Sequence, residues 1–306
     1  MVVLYGAASF LGAALLFLIQ PMLAKLVLPY FGGSPTVWNT CTLFFQALLL
    51  AGYLYVHVTT RRLGPRRQPW FHLVLLLLPL LVLPVALPDH PAPDPGTEPA
   101  LWLLRVLLVA VGLPFPLLAT TGPLLQRWFS WSGHPRAQDP YFLYAASNAG
   151  SVVGLLGYPF VIEPTVGLAA QTRWWSIAYG GFLLLVGTCG VLAAQAAWRA
   201  PVAEREPTPS AEPAAAVSVN QRLTWVALAF VPSSLMLGVT THVSTDIAAI
   251  PMFWTVPLAV YLATFVVAFA RSSRRPPRVA AAVAAALAVP ALLDGRPTGT
   301  QRSGCC

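Results

Sequence analysis

Apolar positions run along this chain in blocks of about twenty residues, each closed by a short polar stretch. A block of that length matches the roughly 30 Å of hydrocarbon that a transmembrane helix must cross. Nine such blocks predict helices, at about 2–28, 36–59, 70–88, 101–126, 140–162, 174–198, 222–243, 247–270 and 277–293. The last is short and rich in alanine. The period-2 alternation of an outer-membrane barrel is absent, so the fold expected is all-α, a polytopic transmembrane helical bundle.

The polar stretches carry a second pattern. Arg61, Arg62, Arg66 and Arg67 follow the second block, Arg127 and Arg136 the fourth, and Arg199, Arg205 and Arg222 flank the gap after the sixth. Arg271, Arg274, Arg275 and Arg278 follow the eighth. The connection after the third block holds Asp89, Asp94 and Glu98 and no basic residue. By the positive-inside rule the even-numbered connections are cytoplasmic, the N-terminus is inside, and a ninth crossing leaves the C-terminus outside.

Residues 200–220 (APVAEREPTPSAEPAAAVSVN) are polar and rich in proline, alanine and glutamate, and read as a cytoplasmic linker. The expected organisation is a six-span bundle over 1–199, the linker, a partial second bundle over 221–294 and a tail over 295–306. Six spans, a linker and a second set is the layout of two-halved transporters, and the first half would resemble a major-facilitator-type half. A loose echo of Pro21 and Trp38 in Pro232 and Trp254 leaves an internal repeat open, because the spacings differ.

Composition agrees with the pattern: 57% of the 306 residues are hydrophobic and 9% charged, against about 25% charged in a soluble domain. Mean hydropathy is +0.69. The net charge of +8 sits in short arginine clusters without a basic, aromatic-studded face, which argues for orientation in a bilayer and against nucleic acid. The first block lacks a basic leader and a small-residue cleavage site, so it is read as a retained span. The lipid bilayer is therefore the first partner expected, in a cytoplasmic (inner) membrane.

The stretch Gln20 to Asn39 is the least like a plain span. It holds Gln20, Pro21, the only lysine (Lys25), the turn Gly32, Gly33, Ser34 and Pro35, and the pair Trp38 and Asn39. The topology makes it an outward-facing hairpin, with Pro21 kinking the outgoing helix. In the fifth block Ala146, Gly150, Gly154 and Gly157 put small residues on one face, a seam along which another helix can approach closely. Ser147 and Asn148 are the polar residues of that helix, available for hydrogen bonds to neighbours or to a solute, and Gln46 is the other polar residue counted near mid-depth.

Lys25, Glu163, Asp246, Arg105 and Arg173 all fall in the outer half by this topology, and a charge in hydrocarbon costs about 3 kcal/mol even on a lenient scale. Two readings stay open: Lys25, Glu163 and Asp246 pair or snorkel at the interface, or they line an outward vestibule in which Glu163 and Asp246 attract a cation.

Catalytic chemistry finds little support. Thr241 to Asp246 puts His242 and Asp246 four apart, but no GxSxG elbow accompanies Ser244. His57, His72, His90 and His134 are scattered over both sides, so no metal site is expected, and no cofactor motif is present. Cys41 and Cys189 fall within apolar blocks as small apolar residues. Cys305 and Cys306 imitate a prenylation ending without the upstream basic tail and on the outer side.

Three stretches carry a family resemblance: QPMLAKLVLPYFGGSPTVWNTCTLFFQALLLAGYLYVH (Gln20 to His57), YFLYAASNAGSVVGLLGYPFVIEP (Tyr141 to Pro164) and STDIAAIPMFWTVPLAVYLATFVVAF (Ser244 to Phe269). Together they resemble the membrane portion of the bacterial fused transporter/spermidine-synthase-like proteins. That resemblance implies a transporter-like bundle followed, in the family, by a soluble aminopropyltransferase-like domain. No position here matches that domain's motifs, so no enzyme is expected in this chain, and the ending DGRPTGTQRSGCC reads as a truncated or frame-shifted tail. The expectation divides in two: a bundle that binds or moves a cationic, polyamine-related solute, or a membrane scaffold for a synthase-like domain or protein.

Overall fold

An apolar run nearly free of breaks makes α1 (Val2–Phe31) a 30-residue helix that passes through both Pro21 and Pro29. The computed structural model describes residues 1–32, 35–88, 96, 98–137, 140–199, 218–242 and 255–269. These belong to one unit, Met1–Phe269; a second, Ala270–Cys306, lies outside the described residues, as do the expected helix at 277–293 and the tail.

The described elements are all helical. After α1 come α2 (Pro35–Leu77), a 3-10 turn (Leu78–Leu81), α3 (Pro99–Val111), α4 (Pro114–Ala119) and α5 (Thr121–Ser130). They are followed by α6 (Tyr141–Gly157), a π-helical turn (Tyr158–Ile162), α7 (Glu163–Thr165), α8 (Leu168–Arg199), α9 (Val219–His242) and α10 (Thr255–Phe269).

Four helical runs among them are long and apolar enough to cross a membrane: Val2–Phe31, Asn39–Leu81, Tyr141–Thr165 and Leu168–Arg199. That is fewer than the nine expected, and local breaks explain part of the difference. The second run holds two of the expected spans. A straight helix of 43 residues would be about 65 Å long, twice the hydrocarbon thickness. It is folded at Gly64, whose φ of 64° and ψ of −179° suit glycine, and Pro65 disfavours helix in the residue before it. The fourth expected span is divided at Gly112–Leu113 and at Thr120 into α3, α4 and α5, with Pro114 opening α4.

The contacts set the direction of each column. Phe10 lies against Gly150, Ala14 against Gly154 and Lys25 against Glu163, so α1 and α6 run parallel. Tyr5 donates to the Cys189 carbonyl (2.9 Å) and Trp175 Nε1 to the Leu15 carbonyl (3.0 Å), which makes α8 antiparallel to α1. Tyr179 donates to the Leu76 carbonyl and Arg66 Nε to the Ala197 carbonyl, tying the second arm of α2 along α8. Trp128 of α5 donates to Gln68 Oε1 at 2.6 Å, and His72, fully buried beside Trp128, meets the Tyr55 hydroxyl at 3.0 Å. Each bond places an indole, a hydroxyl or, for Arg66, a guanidinium beside a partner that lipid could not supply.

The tightest approach is α1 on α6. A Cβ added at Gly154 would stand 2.7 Å from the Ala14 carbonyl oxygen, and one at Gly150 would come closer still to that of Phe10. Gly157 meets nothing within 4 Å, so the seam stops short of it, and Ala146 is half-buried one turn before Gly150. Beside this seam, Leu155 joins Ala259 and Leu262 of α10 in a small apolar cluster against which Phe17 of α1 also packs. The described side chains of α9 are exposed.

Arg66 and Arg127 gather at one end of the bundle, the guanidinium of Arg66 4.5 Å from the Trp198 ring and that of Arg127 5.6 Å from the Trp131 ring. Trp198 and Trp174, near the two ends of α8, are both about 60% exposed.

Gly150→Ala is expected to lower the unfolding free energy in detergent by about 1–3 kcal/mol, the usual cost of overpacking. Gly157→Ala, with open space around it, should change it by less than about 0.5 kcal/mol. Equal losses in denaturant titrations of the two variants would show that the seam is not the tight contact.

Candidate functional site

A cavity of about 500 Å³ lies level with the middle of α1, between that helix and α2, α4, α5, α6 and α10. Its wall mixes polar and apolar side chains. From α1 come Ser9 and Gln20 with Ala13, Leu16 and Phe17; α2 adds Leu49 and Tyr53. The α4–α5 column gives Thr121 and Gln126, and α6 gives Tyr144, Ser147, Asn148 and Ser151, with Leu262 of α10 completing the wall.

Local helix chemistry orients several of these groups. Gln20 Nε2 donates to the Leu16 carbonyl (3.3 Å) and Asn148 Nδ2 to the Tyr144 carbonyl (2.8 Å). An amide nitrogen held on its own helix leaves the amide oxygen as an acceptor for something else. The Ser151 hydroxyl likewise donates to the Ser147 carbonyl at 3.1 Å. Pro21, next to Gln20, has no N–H for the Phe17 carbonyl, so the ladder of α1 is interrupted beside the cavity.

Two wall residues are left unsatisfied. Ser9 and Thr121 are 2% and 5% exposed, and neither hydroxyl oxygen has a hydrogen-bond partner among the described residues. An unmet buried hydroxyl costs about 1–3 kcal/mol, and both oxygens are packed against protein and not open to the cavity.

The residues singled out from sequence separate into groups. Ser147 and Asn148 line the cavity, and so does Gln20, which the sequence reading grouped with the outer hairpin. Lys25, toward the far end of α1, and Glu163, the first residue of α7, form an ion pair with side chains 42% and 26% exposed, and neither lines the cavity. Asp246 lies outside the described residues, as do Ser244, Gly33, Ser34 and His90. Gly32 closes α1 at φ 71°, its N–H donating to the Leu28 carbonyl at 2.9 Å. Trp38 and Asn39 lie in the first turns of α2, and Asn39 is exposed.

Arg105 sits 5.2 Å over the Trp102 ring, Arg173 is exposed on α8, and Gln46 is exposed on α2. Among the described residues no group of three or more His, Cys, Asp or Glu could hold a metal ion.

Ser9, Tyr53, Thr121, Gln126, Tyr144 and Ser151 were not singled out from sequence. The signal was present in part: Ser9, Thr121 and Gln126 are polar residues within apolar blocks, the pattern that marks a lined pathway in a membrane protein. No family model matches the chain, and no curated protein or solved structure shows a significant match to it.

The Lys25–Glu163 pair is half-exposed, which limits its worth. A double-mutant cycle over Lys25→Met and Glu163→Gln is expected to give a coupling of about 0.5–1 kcal/mol in detergent unfolding. A coupling near zero would mean that the two side chains do not hold each other.

Proposed function

We propose that this chain is an integral membrane protein whose helical bundle binds a small polar solute at mid-depth, in the manner of a transporter half. The observation that carries the reading is the cavity lined by Gln20, Gln126, Ser147 and Asn148, polar side chains inside an otherwise apolar bundle. Transporters place their solute near the bilayer midplane, and at this level Pro21 leaves the Phe17 carbonyl of the continuous helix α1 without its N–H partner. The basic end with Arg66 and Arg127 is taken as the cytoplasmic one, which puts the N-terminus inside an inner membrane.

The resemblance to fused transporter/spermidine-synthase-like proteins is compatible with this role. It also keeps a second reading, a scaffold that positions a synthase-like domain or protein. The Lys25–Glu163 pair favours the second reading, since it satisfies its charges internally and leaves Glu163 engaged where a cation would need it.

Gly122 separates the two readings. It lines the cavity, and a Cβ there would meet nothing within 4 Å, so Gly122→Leu fills the space with little strain on the fold. The full chain in proteoliposomes should take up at least one of labelled mannitol, serine and spermidine, and Gly122→Leu should slow that uptake at least about tenfold, as loss of a site worth about 1.4 kcal/mol or more would. Uptake equal to protein-free liposomes for all three probes, in both proteins, would leave the scaffold.

A further inference from the structure

Resting on the membrane reading above and not on the cavity, we infer that the basic end of the bundle holds an acidic phospholipid, its headgroup phosphate seated at Arg66 and Arg199. Two side-chain bonds assemble that end. Arg66 Nε donates to the carbonyl of Ala197, two residues before Arg199, and Trp128, which follows Arg127, donates to Gln68, which follows Arg67. Three columns thus bring Arg66, Arg67, Arg127 and Arg199 to one end, where the fold at Gly64 also leaves Arg61 and Arg62.

No described carboxylate balances this charge. The carboxylates among the described residues are Glu98 and Glu163; Glu163 holds Lys25, and no ion pair joins either to an arginine there. The positive-inside bias accounts for arginines at this end as a class, but not for the way Arg66 is held. Arg66 is half-buried, with Nε bonded to the end of α8 and its guanidinium 4.5 Å from the ring of exposed Trp198. Its Nη groups remain, among the described residues, as the two-pronged donor that suits a phosphate.

The surface that continues from this point selects a lipid. Exposed positions of α8 run from Arg199, Trp198 and Gln195 at the basic end to Leu184 and Ile177 further along. Donors followed by apolar surface match the order of a phospholipid, headgroup and then acyl chain, with an indole at the boundary. A soluble phosphate would use the first part alone.

The test is native mass spectrometry of the full chain in detergent, titrated with phosphatidylglycerol and, separately, with phosphatidylcholine. Phosphatidylglycerol should bind at least about tenfold more tightly, and about a hundredfold excess of glycerol 3-phosphate should not displace it. Arg199→Gln, at an exposed position, should fold as the parent does and lower that preference at least about threefold. Arg66→Gln should act alike, and the double variant should lose the preference. Arg136→Gln, an exposed arginine outside this group, should keep it.

Equal affinity for the two lipids overturns the proposal and leaves the solute-binding reading standing, since that reading is decided by uptake. Equal losses in Arg136→Gln and Arg199→Gln reveal a diffuse attraction and overturn the assigned seat. Displacement by glycerol 3-phosphate overturns the lipid in favour of a soluble phosphate ester.

Discussion

The arrangement depends on how closely two backbones can approach. Where α6 presents Gly150 and Gly154 to the carbonyl oxygens of Phe10 and Ala14, there is no room for a side chain, and α1 and α6 lie against each other with little between them. In lipid the hydrophobic effect gives no help in bringing helices together, so close packing has to supply the attraction. The remaining columns attach to this pair through directed bonds, with α8 holding α1 by Tyr5 and Trp175 and holding the second arm of α2 by Tyr179.

The same face of α6 explains the cavity. Residues small enough to form the seam alternate with Ser147, Asn148 and Ser151, which fill little volume. Two helices in tight contact along one line must diverge beside it, and the α4–α5 column, broken at Thr120, does not fill the wedge as a straight helix of bulky side chains would. The cavity is thus a by-product of the packing that holds α1 to α6, and its polar lining comes from the residues that make that packing feasible.

Much of this was legible in the apolar blocks. The blocks at 2–28, 140–162 and 174–198 correspond to the runs Val2–Phe31, Tyr141–Thr165 and Leu168–Arg199, because a long apolar run has one stable conformation in a place without water. The fold at Gly64 and the breaks in 99–130 could be suspected from Gly-Pro and Leu-Pro pairs, but proline also stands inside unbroken α1, so the residue type alone does not decide. The cavity was only half visible. Ser147 and Asn148 stand out on their helix, whereas Ser9, Gln20, Thr121 and Gln126 are each isolated in sequence, and only the packing of separate columns brings them to one wall.

The exposed tryptophans of α8 carry a consequence for where the bundle sits. Trp174 and Trp198 are 24 residues apart, about 36 Å along a helix, a little more than the thickness of hydrocarbon. Indoles collect at the boundary between headgroups and acyl chains. The helix thereby acts as a ruler, with one mark beside Arg173 and the other beside Arg199. In a bilayer, indoles at those two marks would set the depth of α8 and put its middle where water is scarcest.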